Sequence, residues 1–309
     1  MSAPPLARIG LGTAALGHLY EAVSDDEAEA VVHAAWAAGI RFFDTAHLYG
    51  GGLAETRLGR ALRVHPRAEC EVATKIGNYR PYGQGPIPPG STVRRAADVR
   101  DYSAGRTEAA VAESLRRLGV DHIDIVHVHG VPAGDETART GAFPALARLR
   151  DAGTIGAVGA GTDPVEPLVW AVEEGLVDAV LIAGRHTLLD RQAETHLLPL
   201  AAARGVRVLL GGVFNSGILA TGAIPGARFD YEPASPQVLA RARRLEGICA
   251  EAAIPLRAAA LQFPLREPRI ERLLIGPASV AELEDCLAML SVDIPADVWE
   301  TLEAERAAA

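Results

Sequence analysis

The sequence predicts a (β/α)8 barrel, also called a TIM barrel, and three observations lead to that fold class. Short apolar segments alternate with longer helix-like segments along the whole 309-residue chain. Glycines stand where a helix would end and a strand begin, a position that favours the left-handed backbone conformation. A long segment rich in Pro, Gly and Tyr, from Gly77 to Gly105, follows the third strand candidate, on the face where barrel enzymes place their active sites. We expect one domain over residues 1–309, with this long loop after strand three and a short helical tail at the C-terminus.

Eight apolar segments have the length and composition of buried strands. They are Arg8–Gly12, Arg41–Asp44, Glu71–Lys75, Ile123–His129, Ile155–Ala160, Ala179–Ile182, Val206–Leu210 and Arg272–Ile275. Helix-like segments follow them at Asp25–Ala38, Leu53–Leu62, Arg106–Leu118, Phe143–Asp151, Val165–Glu174, Arg191–Ala203, Pro236–Ala253 and Ser279–Leu290. Repeated strand–helix units indicate a parallel barrel. An open doubly wound sheet is the alternative, and it is disfavoured because Gly10–Leu11–Gly12 lacks the third glycine of a dinucleotide-binding fingerprint.

The junctions between these segments carry the residues that such turns need. The glycines at helix-to-strand junctions are Gly39, Gly119, Gly153, Gly175 and Gly205. Ser24 is followed by three acidic residues, a pattern typical of a capped helix start.

Composition excludes several classes of function. The formal net charge is −9, with acidic and basic residues interspersed, so no basic patch indicates a nucleic-acid partner. No segment reaches the roughly 20 apolar residues of a membrane helix, and Met1 to Arg8 does not resemble a signal peptide. Cys70, Cys249 and Cys286 are far apart and odd in number, which predicts reduced thiols and no metal site. We therefore expect a cytoplasmic protein; the sequence carries no signal for its oligomeric state.

Four chemically reactive residues lie at or just beyond the ends of strand candidates. Asp44, Lys75 and His129 end the second, third and fourth strands, and Tyr49 follows Asp44 by five residues. Side chains at the C-terminal ends of adjacent barrel strands converge on one place. A tyrosine has a pKa near 10, and a nearby ammonium group lowers it toward the range useful for proton transfer. Asp44 can supply the counter-charge of that ammonium group, and the imidazole can orient a substrate oxygen.

Lys75 is also the only lysine in the chain, since every other basic side chain of the Lys and Arg pool is arginine. An ammonium group is compact and mobile, whereas a guanidinium group is planar and always charged. The sequence therefore indicates a specific need for an ammonium group at position 75. His127 shares the side-chain direction of His129 in the predicted strand, and we interpret it as interior packing.

The sequence resembles the aldo-keto reductase family over essentially its whole length. The resemblance is carried by Ile9–Thr13, Asp44–Ala46 with Tyr49–Gly50, Thr74–Lys75, Glu113–Gly119 and the strand from Asp121 to His129. It implies catalytic roles for Asp44, Tyr49, Lys75 and His129.

A narrower resemblance is to the aldose 1-dehydrogenases of that family, the L-fucose and D-threo-aldose dehydrogenases, and to the pyridoxal 4-dehydrogenases. The segments that carry it are Asp101–Ala104, Ala183–Leu189 and Gly211–Leu219.

The resemblance also implies a nicotinamide cofactor bound at the same face of the barrel. Barrel enzymes often bind phosphate in the loops after strands seven and eight, and backbone N–H groups at a helix start suit an anion. The cofactor-binding residues expected here are Thr13, Gly159, Gly161, Thr162, Gly211, Val213, Asn215, Gly217, Gly276, Ala278, Ser279, Glu282 and Asp285. Because acids rather than an arginine follow Gly276, the sequence favours NAD over NADP, whose 2′-phosphate needs a cation.

These observations lead to one main hypothesis, that the chain oxidises an aldose or a similar polar cyclic hemiacetal at C1 to a lactone, with Tyr49 as general acid and base. The small polar partner would then be a sugar. Two alternatives within the class are reduction of aldehydes or ketones with NADPH and oxidation of pyridoxal. An alternative of another class is a nicotinamide-binding regulatory subunit with little turnover.

Overall fold

Eight parallel strands form a closed barrel in the computed structural model, which describes residues 6–19, 21–81 and 98–305. In chain order the barrel strands are Ile9–Gly12, Phe42–Asp44, Glu71–Ile76, Ile123–His129, Ile155–Thr162, Ala179–Ala183, Arg207–Gly211 and Arg272–Ile275. Each strand pairs with its neighbours along the chain, and the eighth closes the barrel on the first. All eight predicted strands are confirmed, with boundaries that differ by at most two residues.

Helices follow the strands around the outside of the barrel. They are α1 (Asp25–Ala37), α2 (Leu53–Leu62), α3 (Ala104–Leu118), α4 (Phe143–Asp151), α5 (Glu166–Glu173), α6 (Leu197–Arg204), α7 (Ile218–Thr221), α8 (Pro236–Glu251), α9 (Leu256–Gln262), α10 (Val280–Leu290) and α11 (Ala296–Ala304). The predicted C-terminal helical tail is α11. The helix predicted to begin at Arg191 begins only at Leu197, as α6, so its first turns were predicted wrongly. A 3-10 turn stands in their place. The Asp190 carboxylate holds this turn by accepting hydrogen bonds from the main chain and the side chain of Gln192.

The junction residues behave as their types require. All five predicted junction glycines have positive φ angles, from 65° at Gly205 to 96° at Gly39. The Ser24 hydroxyl accepts a hydrogen bond from the main-chain N–H of Glu27, which caps α1 as the sequence predicts. These local contacts fix where each helix stops and the next strand enters the barrel.

Inside the barrel, an apolar floor supports a polar upper layer. The floor is a buried cluster of Phe42, Ala73, Ile125, Ala157, Ala179, Leu181, Leu209 and Leu274. Above it, Lys75 is in register with His127, and His127 with Gly159. His127 is fully buried, which confirms its predicted interior position. A Cβ atom at Gly159 would lie 2.2 Å from the His127 Nδ1 atom, so the glycine makes room for the imidazole.

The described ends of the Gly77–Gly105 segment are joined to each other. Asn78–Tyr79 pairs antiparallel with Val99–Arg100. The buried Arg80 guanidinium donates two hydrogen bonds to Asp98, at 2.8 and 2.7 Å. The part of the predicted loop from residue 82 to 97 lies outside the described residues. The loop was predicted to end at Gly105, but α3 already begins at Ala104.

Two further predictions concern the whole chain. Cys70, Cys249 and Cys286 are free and buried. Within the described ranges, no single helix has the length and apolar character needed to cross a membrane. The segments Pro236–Glu251 and Leu256–Arg266 reach that length and apolar character only when taken together, and they are bent by 102° relative to each other.

Candidate active site

A cleft of about 210 Å³ opens at the C-terminal ends of the barrel strands. Its polar side chains are those of Tyr49, Lys75, Arg80, His129, Thr162, Asp163 and Tyr231. Glycines and small apolar residues form much of the remaining wall, including Gly17, Gly50, Gly161 and Ala183. The cleft therefore places polar groups that can exchange protons beside open space for a small polar molecule.

Lys75 is the centre of the hydrogen-bond network at the base of this cleft. Its Nζ atom donates to Asp44 Oδ2 at 2.5 Å, to the main-chain oxygen of Thr45 at 2.9 Å and to the Tyr49 hydroxyl at 3.1 Å. Asp44 and Lys75 are both buried; Asp44 is the last residue of its barrel strand and Lys75 the last but one of the neighbouring strand. Burial opposes the charge on Lys75, but Asp44 and Tyr49 together outweigh this effect, so the pKa of Lys75 lies above its ordinary value.

His129 stands beside the phenol, on the next strand. The two rings are perpendicular with centroids 6.1 Å apart. Burial, with Lys75 as the next contributor, lowers the pKa of His129 to about 3. The imidazole is therefore neutral at physiological pH, and its Nδ1 atom is buried without a hydrogen-bond partner among the described residues. A neutral imidazole can donate a hydrogen bond to a substrate oxygen without competing with Lys75 for charge.

The pKa of Tyr49 departs from the sequence-based expectation. Lys75 does lower it, as expected, but burial is the larger effect, and the pKa of Tyr49 lies above its ordinary value. A phenolate loses the hydration that stabilises it in water, and one ammonium group already paired with Asp44 does not replace that hydration. In this structure Tyr49 is therefore a neutral phenol at neutral pH, held in place by the lysine.

The residues predicted to bind a cofactor fall into two groups by their surroundings. Gly161 and Thr162 line the cleft. Thr13 is fully buried and donates to the main-chain oxygen of Asp44, while Val213 packs in the core. The buried Asn215 amide donates to the Gly184 oxygen and accepts from the Thr187 hydroxyl.

Several of these side chains therefore hold the loops above the strands together. Gly159 is required by packing, because a side chain there would collide with the His127 ring. Gly217 has a positive φ of 99° at the start of α7, a backbone conformation that favours glycine.

The loop after the eighth strand leads into the capped start of α10. The Ser279 hydroxyl accepts from the Glu282 N–H, and the Glu282 carboxylate accepts from the Ala278 N–H at 2.8 Å. Asp285, on the same helix, forms two hydrogen bonds with Arg257. Two backbone donors at this helix start are thus already paired, the Ala278 N–H with a carboxylate and the Glu282 N–H with a hydroxyl.

Four glycines lie at or next to the C-terminal ends of barrel strands. They are Gly12, Gly161, Gly211 and Gly276, and a Cβ atom at any of them would meet no atom closer than 3.5 Å. Packing does not demand glycine there, in contrast to Gly159. Glycine at these positions lets a ligand approach the backbone closely, and in this respect the residues present fit a nicotinamide dinucleotide.

Two charged residues of the cleft were not expected from the sequence as site residues. Arg80 had no signal, since it lies within the long segment after strand three. Asp163 follows Thr162 directly at the end of the fifth strand, and that position was the available signal. Asp163 lines the same cleft as Tyr49 and Lys75.

Comparison with known proteins places this site in a family. The Aldo/keto reductase family profile matches residues 8–306. D-threo-aldose 1-dehydrogenase from Pseudomonas sp. is 37% identical, covering 96% of this chain and 93% of its own. Pyridoxal 4-dehydrogenase from Microbacterium luteolum is also 37% identical, with the same coverage.

Solved structures agree with the architecture. A glycerol dehydrogenase from Gluconobacter oxydans, 24% identical, superimposes with a TM-score of 0.79 and covers 97% of this chain and 91% of its own. At this identity the likeness concerns the fold alone. The match over residues 8–306 and the relatives at 37% identity show that the chain belongs to the aldo/keto reductase family and is an NAD(P)-dependent oxidoreductase.

Proposed function

We propose that the protein oxidises the cyclic hemiacetal of an aldose at C1 to a lactone, with NAD as the hydride acceptor. The observation that carries the proposal is the Tyr49 hydroxyl, 3.1 Å from Lys75 Nζ and facing the cleft beside His129. This arrangement holds a group that can exchange a proton where a substrate oxygen can reach it.

The side chains divide the chemistry among themselves. When bound, the nicotinamide ring supplies the acceptor for the hydride that leaves C1. Tyr49, as phenolate, takes the proton of the C1 hydroxyl, and the neutral His129 donates a hydrogen bond that orients the same oxygen. Lys75 stabilises the phenolate, and Asp44 keeps Lys75 charged within the buried site.

Because burial raises the pKa of Tyr49, the phenolate needed for oxidation becomes more abundant as the pH rises. We therefore expect oxidation to accelerate with increasing pH across the alkaline range, until the phenol is fully ionised. Reduction, which needs the neutral phenol as proton donor, should have the opposite dependence.

The names of the relatives support the proposed substrate class. An aldose closes on one of its own hydroxyls to a cyclic hemiacetal, and pyridoxal does the same. Both substrates therefore present a carbon that bears one hydroxyl and one ring oxygen, and oxidation of that carbon gives a lactone. A cleft lined by Arg80, Thr162 and Asp163 offers hydrogen-bond partners for the additional hydroxyls of a sugar.

The preference for NAD is supported by the start of α10. A 2′-phosphate placed there would meet the Glu282 carboxylate, which already accepts from the Ala278 N–H. A ribose hydroxyl could instead donate to that carboxylate. The nearby Arg257 is paired with Asp285.

The test is a panel of aldoses, including L-fucose and D-arabinose, together with pyridoxal and simple aldehydes, each measured with both cofactors. We expect the highest kcat/KM for an aldose with NAD, and a lactone as the product. The highest value for pyridoxal would redirect the proposal within the hemiacetal class. Turnover confined to aldehyde reduction with NADPH would reject the proposal, as would cofactor binding without turnover.

A further inference from the structure

We propose that the carboxylate of Asp163 makes the site bind the oxidised cofactor in preference to the reduced one. Its negative charge attracts the positive charge that only the oxidised nicotinamide ring carries. This inference rests on the proposed function, because it requires the nicotinamide ring to lie in the cleft. It concerns a residue that the sequence did not suggest as part of the site.

The position of Asp163 is the first argument. It ends the cleft-facing run Gly161–Thr162–Asp163 and lines the cleft together with Tyr49 and Lys75. It also lines a second, smaller pocket that includes Gly212 and Asn215. The hydride must leave a carbon whose oxygen contacts Tyr49, so the ring that accepts it must lie in this same cleft. Asp163 therefore borders the space that the ring would occupy.

The second argument is that nearby positive charge compensates Asp163 only in part: burial raises the pKa of its carboxyl group, and Arg185 opposes that rise without cancelling it. Arg185 Nη1 lies 3.1 Å from Asp190 and 2.8 Å from Asp230, and Arg185 Nε donates to the main-chain oxygen of Asp163. In the described parts of the chain, the Asp163 carboxylate itself has no hydrogen bond or ion pair. One guanidinium group thus serves two other carboxylates.

The two cations that line the cleft are each paired with a carboxylate. Lys75 is paired with Asp44, and Arg80 is paired with Asp98. The group formed by Arg185, Asp190, Asp230 and Asp163 leaves this side of the cleft with excess negative charge.

The electrostatic reach of Asp163 extends to the reacting groups. Burial is the main cause of the raised pKa of Tyr49, and Asp163 is one of the charges that raise it further. A carboxylate that acts on the phenol through the cleft also acts on a ring bound between them, because a partly desolvated cleft screens charges weakly.

The two redox states of the cofactor differ in the charge of that ring. The oxidised nicotinamide ring is a cation, and the reduced ring is neutral. A carboxylate beside it stabilises the oxidised form and has little effect on the reduced form. The expected consequence for catalysis is tight binding of NAD and easier release of NADH, which suits net oxidation.

The experiment measures the dissociation constants of NAD and NADH by calorimetry, without substrate, for the wild type and three variants at pH 8. Asp163→Asn removes the charge but keeps the shape and the ability to accept a hydrogen bond. Asp163→Glu keeps the charge. Asp151→Asn, at the exposed end of α4 on the opposite face of the barrel, is the matched control for loss of one carboxylate.

We expect Asp163→Asn to weaken NAD binding about tenfold while NADH binding changes less than threefold. A tenfold change in the ratio raises the potential of the bound two-electron couple by about 30 mV. Asp163→Glu and Asp151→Asn should keep the wild-type ratio within threefold.

An unchanged ratio in Asp163→Asn, with both forms still bound, would overturn the inference and leave the proposed function standing. Equal weakening of NAD and NADH would also overturn it, because it would indicate a hydrogen-bonding role that does not distinguish the two forms. If the wild type bound neither form, both the inference and the proposed function would fail.

Discussion

Replacing Lys75 by methionine tests how much of the site depends on its ammonium group. Methionine has a similar unbranched shape but no charge. Lys75 Nζ is 3.1 Å from the Tyr49 oxygen, and two unit charges at that distance interact by about 5 kcal/mol at an effective dielectric constant of about 20. This stabilisation of the phenolate would be lost in Lys75→Met, and the pKa of Tyr49 would rise further. We expect the oxidation rate at pH 8 to fall by about 10²-fold or more.

The same change should also destabilise the fold, because it leaves the buried Asp44 carboxylate without its partner. Removing one member of a buried ion pair costs about 3–5 kcal/mol of unfolding free energy. The double variant Asp44→Asn/Lys75→Met removes both charges, and we expect it to recover most of that stability in urea unfolding while remaining inactive.

The comparison of the two variants separates the effect on catalysis from the effect on folding. Wild-type oxidation rates and an unshifted pH profile in Lys75→Met would refute the role of the ammonium group. Recovered activity in the double variant would refute it equally.

Three further changes test other parts of the structure. Lys75→Arg keeps the charge, but the planar guanidinium group should displace the phenol, so we expect steady-state oxidation to stay below about a tenth of wild type; full activity would show that charge alone matters. Gly159→Ala places a Cβ atom 2.2 Å from the His127 ring and should lower the unfolding free energy by about 1–3 kcal/mol; a neutral result would contradict this packing. Ala278→Arg should tighten NADP binding about tenfold at constant ionic strength, reduced where Glu282 pairs with the new arginine, and wild-type protein that already favours NADP would refute our interpretation of this loop.

The strands and the four central site residues could be predicted because their signals are local. A buried parallel strand is apolar along its length, so Asp44, Lys75 and His129 stand out as polar residues at strand ends. The barrel geometry then brings strand ends together without further information. Tyr49 joins them because it follows Asp44 within a short loop.

The remaining features depend on contacts that sequence spacing does not reveal. Whether the pKa of Tyr49 is raised or lowered from its ordinary value depends on how much the surrounding residues bury the phenol. The structural role of Asn215 depends on Gly184 and Thr187, which lie on another loop.

The pairing of charged side chains around the cleft also cannot be predicted from sequence spacing. Asp163 is compensated only in part because Arg185 also pairs with Asp190 and Asp230. The 3-10 turn before α6 was missed for a related reason, since the side chain of Asp190 binds the main chain that a helix would use.

The central claim is that Tyr49 carries the proton in oxidation of the hemiacetal. Tyr49→Phe keeps the ring and removes the hydroxyl that Lys75 contacts. The most direct measurement is the rate of NADH formation by this variant under saturating substrate and NAD, together with its dissociation constant for NAD. We predict a rate lowered by about 10²-fold or more, the scale of general acid–base catalysis, with NAD binding within threefold of wild type. A rate within threefold of wild type would contradict the claim.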